Sequence, residues 1–478
     1  MPPASFVATA ALLAGGFLVL GAVVTRGLRA VSDFTVAGRS ATASGVSGAL
    51  LGALVGGAAT VGTAEMAYRY GLSAWWFTLG GGIGCLVLGL LFARPVRRSR
   101  LETIPQFLRL SYGRPTALAA LVGSALGSFL SIAAQLLAGA ALLRAFVPVT
   151  TGAAVAMTAA LVLGFMLAGG LKSFAAIGRA KLLALYGVLV VCALRALSLG
   201  ATPSHLWRSL PREPFFDLFE QGTRDLSAGL SLVVGVLSTQ IYVQAVFSAS
   251  SERTARRGAL LSALLMPPLG LLGIWVGLTL RVNGVQIESP LALPFFVQAY
   301  FPPAIAGLLW CALVITVAGA IAGLTLGIAT NLVRDLYAPL RAGASERHLL
   351  FVSRGAVVLL VIVAAALASN AGDTPILRWS YLSMGLRGAG TVFPFLLAAT
   401  RPGLLPARWA LGSSLAGTAA VLAWPLIGGG EPLFVGLGLA GGLSVVGILS
   451  GRRGGAAEDA RAQEGGASGG GRLRSSNR

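Results

Sequence analysis

Long apolar stretches follow one another along this chain, separated by short polar segments that are rich in arginine. Most of the stretches reach the ~20 residues that a helix needs to cross the hydrocarbon core of a bilayer. Leu, Ala, Val and Gly fill them without a period of two, so the pattern predicts membrane-spanning helices and argues against a β-barrel. The thirteen predicted spans, numbered in chain order, are 4–24, 42–63, 72–93, 117–147, 151–170, 176–199, 226–249, 258–281, 304–330, 350–369, 376–399, 405–427 and 431–450.

The composition supports a protein embedded in lipid. Hydrophobic residues make up 56% of the 478 residues and charged residues 11%, which leaves too few polar side chains to cover a soluble domain. The net charge of +20 does not indicate a nucleic-acid partner, because no compact basic module lies outside the spans. Cys85, Cys192 and Cys311 stand alone in three spans and are predicted to be small buried hydrophobes. No metal-ligand or nucleophile–base pattern occurs, so neither a metal site nor an enzyme is predicted.

Basic residues crowd almost every second gap between the spans. If the N-terminus lies outside, the cytoplasmic loops and tail hold 24 Lys and Arg residues and the outer loops hold 6. The positive-inside rule therefore predicts a multi-pass protein of the cell (inner) membrane, with the N-terminus outside and the C-terminus cytoplasmic. Residues 451–478 are rich in Gly, Arg and Ser, which predicts a disordered cytoplasmic tail.

Span two contains four glycines within eleven positions, Gly52, Gly56, Gly57 and Gly62. Each weakens a helix by roughly 0.8–1 kcal/mol relative to alanine in water. In a bilayer, an interrupted helix must turn its freed backbone groups towards protein or a wet cavity. Small residues also let neighbouring helices approach closely, so helix packing is the alternative explanation.

Span seven is the second unusual helix. It carries five polar residues in mid-membrane, namely Ser238, Thr239, Gln240, Tyr242 and Gln244. Interrupted helices at corresponding positions of two halves indicate the binding site of a secondary transporter. Spans two to six and seven to eleven would then form an inverted repeat, because an odd number of spans reverses the second copy.

Eight segments along the chain resemble, in order, those of the sodium:solute symporter family, whose members share the leucine-transporter fold of the amino acid–polyamine–organocation superfamily. They are DFTVAGRS (33–40), GGAATVGTAEMAYRYGLSAWWFTLGGGIG (56–84), RLETIPQFLRLSYGR (100–114), AAQLLAGA (133–140), GGLKSF (169–174), QIYVQAVFSASSERTARRG (240–258), ALPFFVQAYFPP (292–303) and NLVRDLY (331–337). The resemblance implies an all-α membrane protein of about 13 helices. A ten-helix inverted-repeat core would occupy 31–400, with a peripheral first helix at 1–30 and two peripheral helices at 401–450.

The resemblance also implies where a solute binds. The site would lie near the membrane midplane, around an unwound stretch of span two from Leu54 to Ala59. Mapped onto this sequence, the candidate residues are Leu54, Gly56, Gly57, Ala58, Ala59, Thr78, Gln135, Gln240, Tyr242 and Gln244. A buried polar side chain often only bonds a neighbouring helix, so that alternative stays open for each polar member.

The sodium site that the resemblance implies is degraded. The carbonyl groups of Gly52 and Val55 would face the ion, but the two adjacent Ser/Thr residues of the family's span nine are Gly319 and Ala320 here. In span six, the family's Thr-Asp pair is replaced by Ile177 and Gly178. Sodium needs oxygen ligands, which these side chains do not offer.

Lys181 and Arg179 follow the degraded pair on span six. In relatives of this fold that work without sodium, a fixed cation lies near this position, so the Lys181 ammonium is predicted to bond carbonyl groups of span two. The alternative is that both side chains snorkel to the cytoplasmic surface. Sodium is therefore a doubtful coupling ion, and a proton carried by Lys181 is the predicted substitute.

Arg387 lies deep in span eleven. A central arginine costs ~2.5–3.5 kcal/mol on insertion scales, so it should face the bundle, a partner or a wet cavity. It is predicted to bind a substrate carboxylate or, alternatively, to brace the gate. Glu65, at the outer end of span two, is expected at the interface.

The sequence thus predicts a secondary active transporter of a small organic solute (an organic acid, amino acid, sugar or vitamin) that works by alternating access. No cofactor is expected, the partners are the solute and the lipid bilayer, and the protein is predicted to be a monomer or a weak homo-oligomer. The alternative from a different class is a non-transporting membrane sensor or receptor built on the same fold.

Overall fold

The structure is a computed structural model that describes residues 3–25, 39–169, 172–341, 343, 345–370, 372 and 374–469. The described residues form helices throughout. The α-helices are α1 Ala4–Thr25, α2 Ala43–Leu54, α3 Thr63–Tyr70, α4 Trp76–Val87, α5 Ala93–Ser99, α6 Ile104–Tyr112, α7 Arg114–Arg144, α8 Thr151–Gly169, α9 Lys172–Ser198, α10 Pro203–Ser209, α11 Arg212–Phe215, α12 Thr223–Ser238, α13 Gln240–Phe247, α14 Glu252–Val282, α15 Ala292–Tyr300, α16 Pro303–Asn331, α17 Ala338–Leu340, α18 Glu346–Ser369, α19 Ile376–Thr400, α20 Ala407–Ile427 and α21 Pro432–Gly469.

The described residues contain 9 stretches long and apolar enough to span a membrane, or up to 10 if a bent pair counts as one. The predicted number of thirteen spans is therefore not confirmed. One stretch, Ala58–Ser99, has 42 residues, and a straight helix of that length would measure about 63 Å, twice the hydrocarbon core. Gly71, with a φ of 66°, interrupts it.

Both interrupted helices predicted from the sequence are broken in the structure. In span two, α2 ends at Leu54, Val55 is extended, and a π-helical turn at Ala58–Gly62 leads into α3. In span seven, α12 and α13 meet at the extended residue Thr239 and are bent by 49°. The break in span two is shorter than the predicted stretch 54–59, because Ala58 and Ala59 already belong to the π-helical turn.

Four long helices enclose the two breaks. Helix α19 runs against α7 and α12, and α16 packs against α7 and α9. Helix α1 packs on α16, while α20 and α21 pair with each other and contact α19. Helix α21 continues to Gly469. The structure does not describe the side chains of residues 451–478, the segment predicted to be disordered.

Candidate functional site

The break in span two fits closely between α7 and α16. The backbone N–H of Gly57 donates to Oε1 of Gln135 at 2.6 Å. A Cβ at Gly57 would lie 2.4 Å from the Cβ of Ala138, and one at Gly56 would lie 2.6 Å from that of Ala320. Glycine is therefore needed here both for the break and for close packing. The interrupted helix and the helix packing, offered above as alternative explanations of the glycines, both apply.

Lys181 points from α9 into this break. Its side chain is only 4% exposed, and its ammonium donates to the carbonyl oxygen of Gly52 at 2.5 Å. Because α2 ends at Leu54, this carbonyl lies in the last turn, where no intrahelical donor is guaranteed and the helix dipole favours a cation. A Cβ at Gly319 would lie 3.2 Å from Nζ of Lys181. Lys181 therefore does not snorkel, and the missing side chain of Gly319 leaves room for the ammonium.

The remaining residues of span six are less fully described. The structure does not describe the side chains of residues 165–179, a range that includes Gly178 and Arg179. The predicted snorkelling of Arg179 therefore stays a prediction.

Arg387 is fully buried on α19. Its Nη2 donates to the hydroxyl oxygens of Ser131 at 2.8 Å and Ser383 at 2.7 Å, and its Nε donates to the backbone carbonyl of Ser383 at 3.2 Å. Its Nη1 has no hydrogen-bond partner, while the Tyr242 hydroxyl faces the guanidinium. The ion pairs seen in the described part of the chain do not include Arg387.

The structure places several predicted site residues elsewhere. The amide of Gln240 bonds the backbone N–H of Ile104 and the carbonyl of Glu102, so it joins α13 to the start of α6. Thr78 donates to the carbonyl of Trp75 within its own chain segment. Gln244, Leu54, Ala58 and Ala59 are buried.

A cavity of about 360 Å³ lies between the N-terminal half of α12, α19 and the start of α21, on the predicted outer side. Arg224, Asp225, Arg378 and Glu431 contribute charges to its lining. Ser231 and Gly385 are its lining residues nearest the middle of their helices. Gly385 precedes Arg387 by two positions, about 3 Å along the helix axis. Residues two apart point to different sides of a helix, and Arg387 does not line this cavity.

Two much smaller cavities of about 10 Å³ each lie towards the cytoplasmic side. Both are lined by Ser124, Gln240 and Asn331, and one also by Thr391, which follows Arg387 by one helical turn. Spaces of this size hold about one water molecule when polar groups surround them.

Sequence reasoning missed the serines around Arg387. Ser383 precedes Arg387 by four residues on the same helix, so helical spacing could have suggested it. Ser131 is 256 residues away in the chain, and nothing in its local sequence indicates the contact.

Glu65, which is expected at the membrane interface, lies inside the helix bundle. Its side chain is fully buried, with one carboxylate oxygen accepting from the backbone N–H of Ile376 at 3.1 Å and the other 3.9 Å from Arg69. Ile376 begins α19, where a carboxylate is favoured by the free N–H groups and the helix dipole. Glu65 therefore ties α3 to the outer end of α19.

We expect Glu65→Ala to lower the melting temperature of the purified protein in lipid nanodiscs by several degrees. The substitution leaves a buried N–H unpaired, which costs about 1–3 kcal/mol. Glu65→Gln keeps the acceptor and should recover most of the loss. Equal melting temperatures for Glu65→Ala and the unsubstituted protein would contradict the assigned cap.

Comparison with known proteins agrees with this architecture. The model of the sodium:solute symporter family matches residues 34–400. The chain belongs to the sodium:solute symporter family. The family and the relatives found for this member are transporters.

Three curated relatives carry different solutes by name. Sodium/myo-inositol cotransporter 2 of Bos taurus is 24% identical over 363 residues, 66% of this chain and 54% of that protein. Urea-proton symporter DUR3 of Oryza sativa subsp. japonica is 25% identical over 421 residues, 76% of this chain and 56% of that protein. High-affinity choline transporter 1 of Caenorhabditis elegans is 26% identical over 400 residues, 79% of this chain and 68% of that protein. The chain thus spans about half the length of the first two relatives.

Solved structures show the same fold. A Na⁺-coupled sialic acid symporter in a substrate-bound outward-open state has a TM-score of 0.79 at 17% identity, covering 94% of this chain and 98% of that one. A transporter of the nucleobase-cation-symport-1 family has a TM-score of 0.55 at 12% identity, covering 87% and 93%. The fold of this family member is therefore that of the transporters related to the leucine transporter.

Proposed function

We propose that this symporter-family member is a secondary active transporter of a small organic solute, and that the ammonium of Lys181 takes the place of sodium. The contact between Lys181 and the carbonyl of Gly52, beside Gly319, is the observation that carries the proposal. The solute would cross by alternating access around the breaks in spans two and seven.

The chemistry of the donors favours an ammonium over a metal ion at this position. Gly319 and Ala320 offer no side-chain oxygen, and a sodium ion held by backbone carbonyls alone would lack ligands. An ammonium needs fewer acceptors, because it forms directed N–H bonds and its aliphatic stem packs against apolar neighbours.

A covalently attached cation changes the coupling. Sodium that binds from outside and leaves to the cytoplasm links transport to its gradient, whereas Lys181 stays with the protein through every cycle. Transport by this site is therefore independent of sodium. The remaining choice is between coupling to a proton that Lys181 gains and loses, and no ion coupling at all.

We expect solute uptake into proteoliposomes to change less than twofold when sodium is replaced by N-methyl-D-glucamine at constant pH. Radiolabelled sialic acid, pyruvate, proline, myo-inositol, urea and choline are suitable probes, because they sample acids, zwitterions, neutral solutes and a cation. A strict sodium requirement would contradict the proposal. Saturable binding of a probe without uptake would favour a sensor instead.

A further inference from the structure

We propose that Arg387, together with Tyr242, binds the carboxylate group of the transported solute, so that organic acids or zwitterions are the substrate class. This inference rests on the proposed transport function, because the carboxylate arrives as part of the solute. It concerns Arg387 on α19 and Tyr242 on α13 and does not depend on the role of Lys181.

The guanidinium of Arg387 is a buried charge whose bonding is incomplete. Neutral acceptors hold Nη2 and Nε, whereas Nη1 is buried without a partner. A buried charged donor that remains unpaired is costly. A residue that only braced two helices would be expected to use this donor on a protein acceptor. We take Nη1, which lies near the Tyr242 hydroxyl, as the donor that an acceptor of the solute would meet.

The surroundings fix the guanidinium in one orientation. Ser131 on α7 and Ser383 on α19 both accept from Nη2, and the hydroxyl of Ser383 in turn bonds the carbonyl of Gly127. A Cβ at Gly127 would lie 2.5 Å from Cγ of Arg387, so only glycine admits the side chain this closely. A fixed planar guanidinium is well suited to a carboxylate, which it binds with two parallel hydrogen bonds or with one reinforced by a neighbouring donor. The Tyr242 hydroxyl, which lies near the guanidinium, would be that neighbouring donor.

Met384 packs directly against the guanidinium of Arg387. The cavity reaches Gly385, and the sulfur of Met384 lies 3.3 Å from Nη2 of Arg387. A Cβ at Gly235 would lie 2.6 Å from Sδ of Met384, so this side chain fills the space between α12 and α19. Methionine is unbranched and adapts to irregular spaces. Rotation of Met384 would free space beside the guanidinium.

The charges near the midplane favour an anionic group. The buried charged residues in the described part of the chain are Lys181, Arg387, Glu65 and Asp225. Glu65 bonds the first turn of α19 and Asp225 lies in the first turn of α12, so both acids lie at the outer helix ends. The two cations in the middle therefore leave a positive interior, which attracts a carboxylate and repels a cation such as choline.

The test compares binding of acids with binding of their uncharged counterparts. Purified full-length protein in nanodiscs is titrated by calorimetry and thermal shift with sialic acid and its methyl ester, pyruvate and methyl pyruvate, and proline. Myo-inositol, urea and choline complete the set. We expect at least one acid or zwitterion to bind, and its ester, where tested, to bind at least tenfold more weakly. Binding of only the neutral solutes or choline would overturn the inference.

Variants assign the carboxylate to Arg387. Arg387→Gln should lose the preference for the acid over its ester, and Arg387→Lys should recover it only in part, because an ammonium lacks the planar fork. Tyr242→Phe should weaken acid binding threefold to tenfold without affecting ester binding, and it tests the inference even if Arg387 variants fail to fold. Arg195→Gln, an exposed basic residue on α9, is the matched control and should bind like the unsubstituted protein. An unchanged preference in Tyr242→Phe and in folded Arg387→Gln would refute the site.

Two further measurements distinguish carboxylate recognition from inorganic anion binding and from the transport proposal. If 100 mM chloride in place of methanesulfonate shifts the melting temperature through Arg387 while no acid binds, the site is an inorganic anion site and the inference fails. Acid binding that depends on Arg387 but gives no uptake in proteoliposomes would overturn the transport proposal and leave carboxylate recognition intact. Uptake of a neutral solute that Arg387→Gln leaves unchanged would overturn carboxylate recognition and leave the transport proposal intact.

Discussion

Replacing Lys181 by alanine should lower solute uptake at least tenfold while the protein still folds and inserts. The substitution removes the cation that joins α9 to the broken end of α2, and the carbonyl of Gly52 is left without this donor. The end of α2 then loses its tie to α9, so the break that the solute would pass is positioned less firmly. Initial rates of uptake into proteoliposomes measure the effect.

The control for this prediction is Arg195→Ala, which removes an exposed basic residue from the same helix. It should transport at the rate of the unsubstituted protein. Size-exclusion profiles and melting temperatures of both variants separate lost transport from lost folding. Near-normal uptake by Lys181→Ala would show that the ammonium is dispensable.

A gain of function follows from the same geometry. Lys181→Ala combined with Gly319→Ser and Ala320→Ser would vacate the ammonium position and supply two hydroxyl oxygens beside the carbonyl of Gly52. Hydroxyl and carbonyl oxygens are ligands that sodium accepts. We expect residual uptake in this triple variant to increase at least threefold with sodium, relative to N-methyl-D-glucamine. A sodium response in the unsubstituted protein, or none in the triple variant, would argue against a converted sodium site.

The second large effect is expected from Gly57→Val. The new Cβ would lie 2.4 Å from that of Ala138 and 2.9 Å from Cγ2 of Val317, and such overpacking costs about 1–3 kcal/mol. It would also displace Gln135 from the backbone N–H of Gly57, which leaves a buried donor unpaired at a further cost of about 1–3 kcal/mol. The protein should express poorly and melt well below the unsubstituted protein.

Gly164→Val on α8 is the matched control, because a Cβ there has no neighbour within 4 Å. Both variants exchange glycine for the same β-branched residue in an apolar span. They differ in the packing around the new side chain and in the break at Gly57. Differential scanning fluorimetry in nanodiscs gives the two melting temperatures. Similar values for Gly57→Val and Gly164→Val would mean that the break in span two tolerates a side chain.

The class of the protein and the positions of its broken helices followed from local sequence. Glycine density in span two and polar residues in span seven are properties of neighbouring positions, and both helices are broken in the structure. Family membership, too, followed from short segments in a fixed order and is confirmed. The number of spans is not confirmed, because three apolar helices, Ala4–Gly16, Ala43–Leu54 and Thr151–Gly164, have fewer than 18 residues in the described part of the chain.

The partners of the buried polar residues were decided only by the tertiary structure. Lys181 and Gly52 are 129 residues apart, and Ser131 and Arg387 are 256 apart, so no periodicity relates them. Gln240 bonds the backbone near residue 102, although its position in span seven suggested the solute site. Hydrophobic pattern is set by which face of a helix meets lipid, whereas hydrogen-bond partners are set by which helices the fold brings side by side. The sequence alone therefore placed Lys181 and Arg387 within apolar helices, and only the folded chain decided that Lys181 bonds the carbonyl of Gly52 and that serines hold the guanidinium of Arg387.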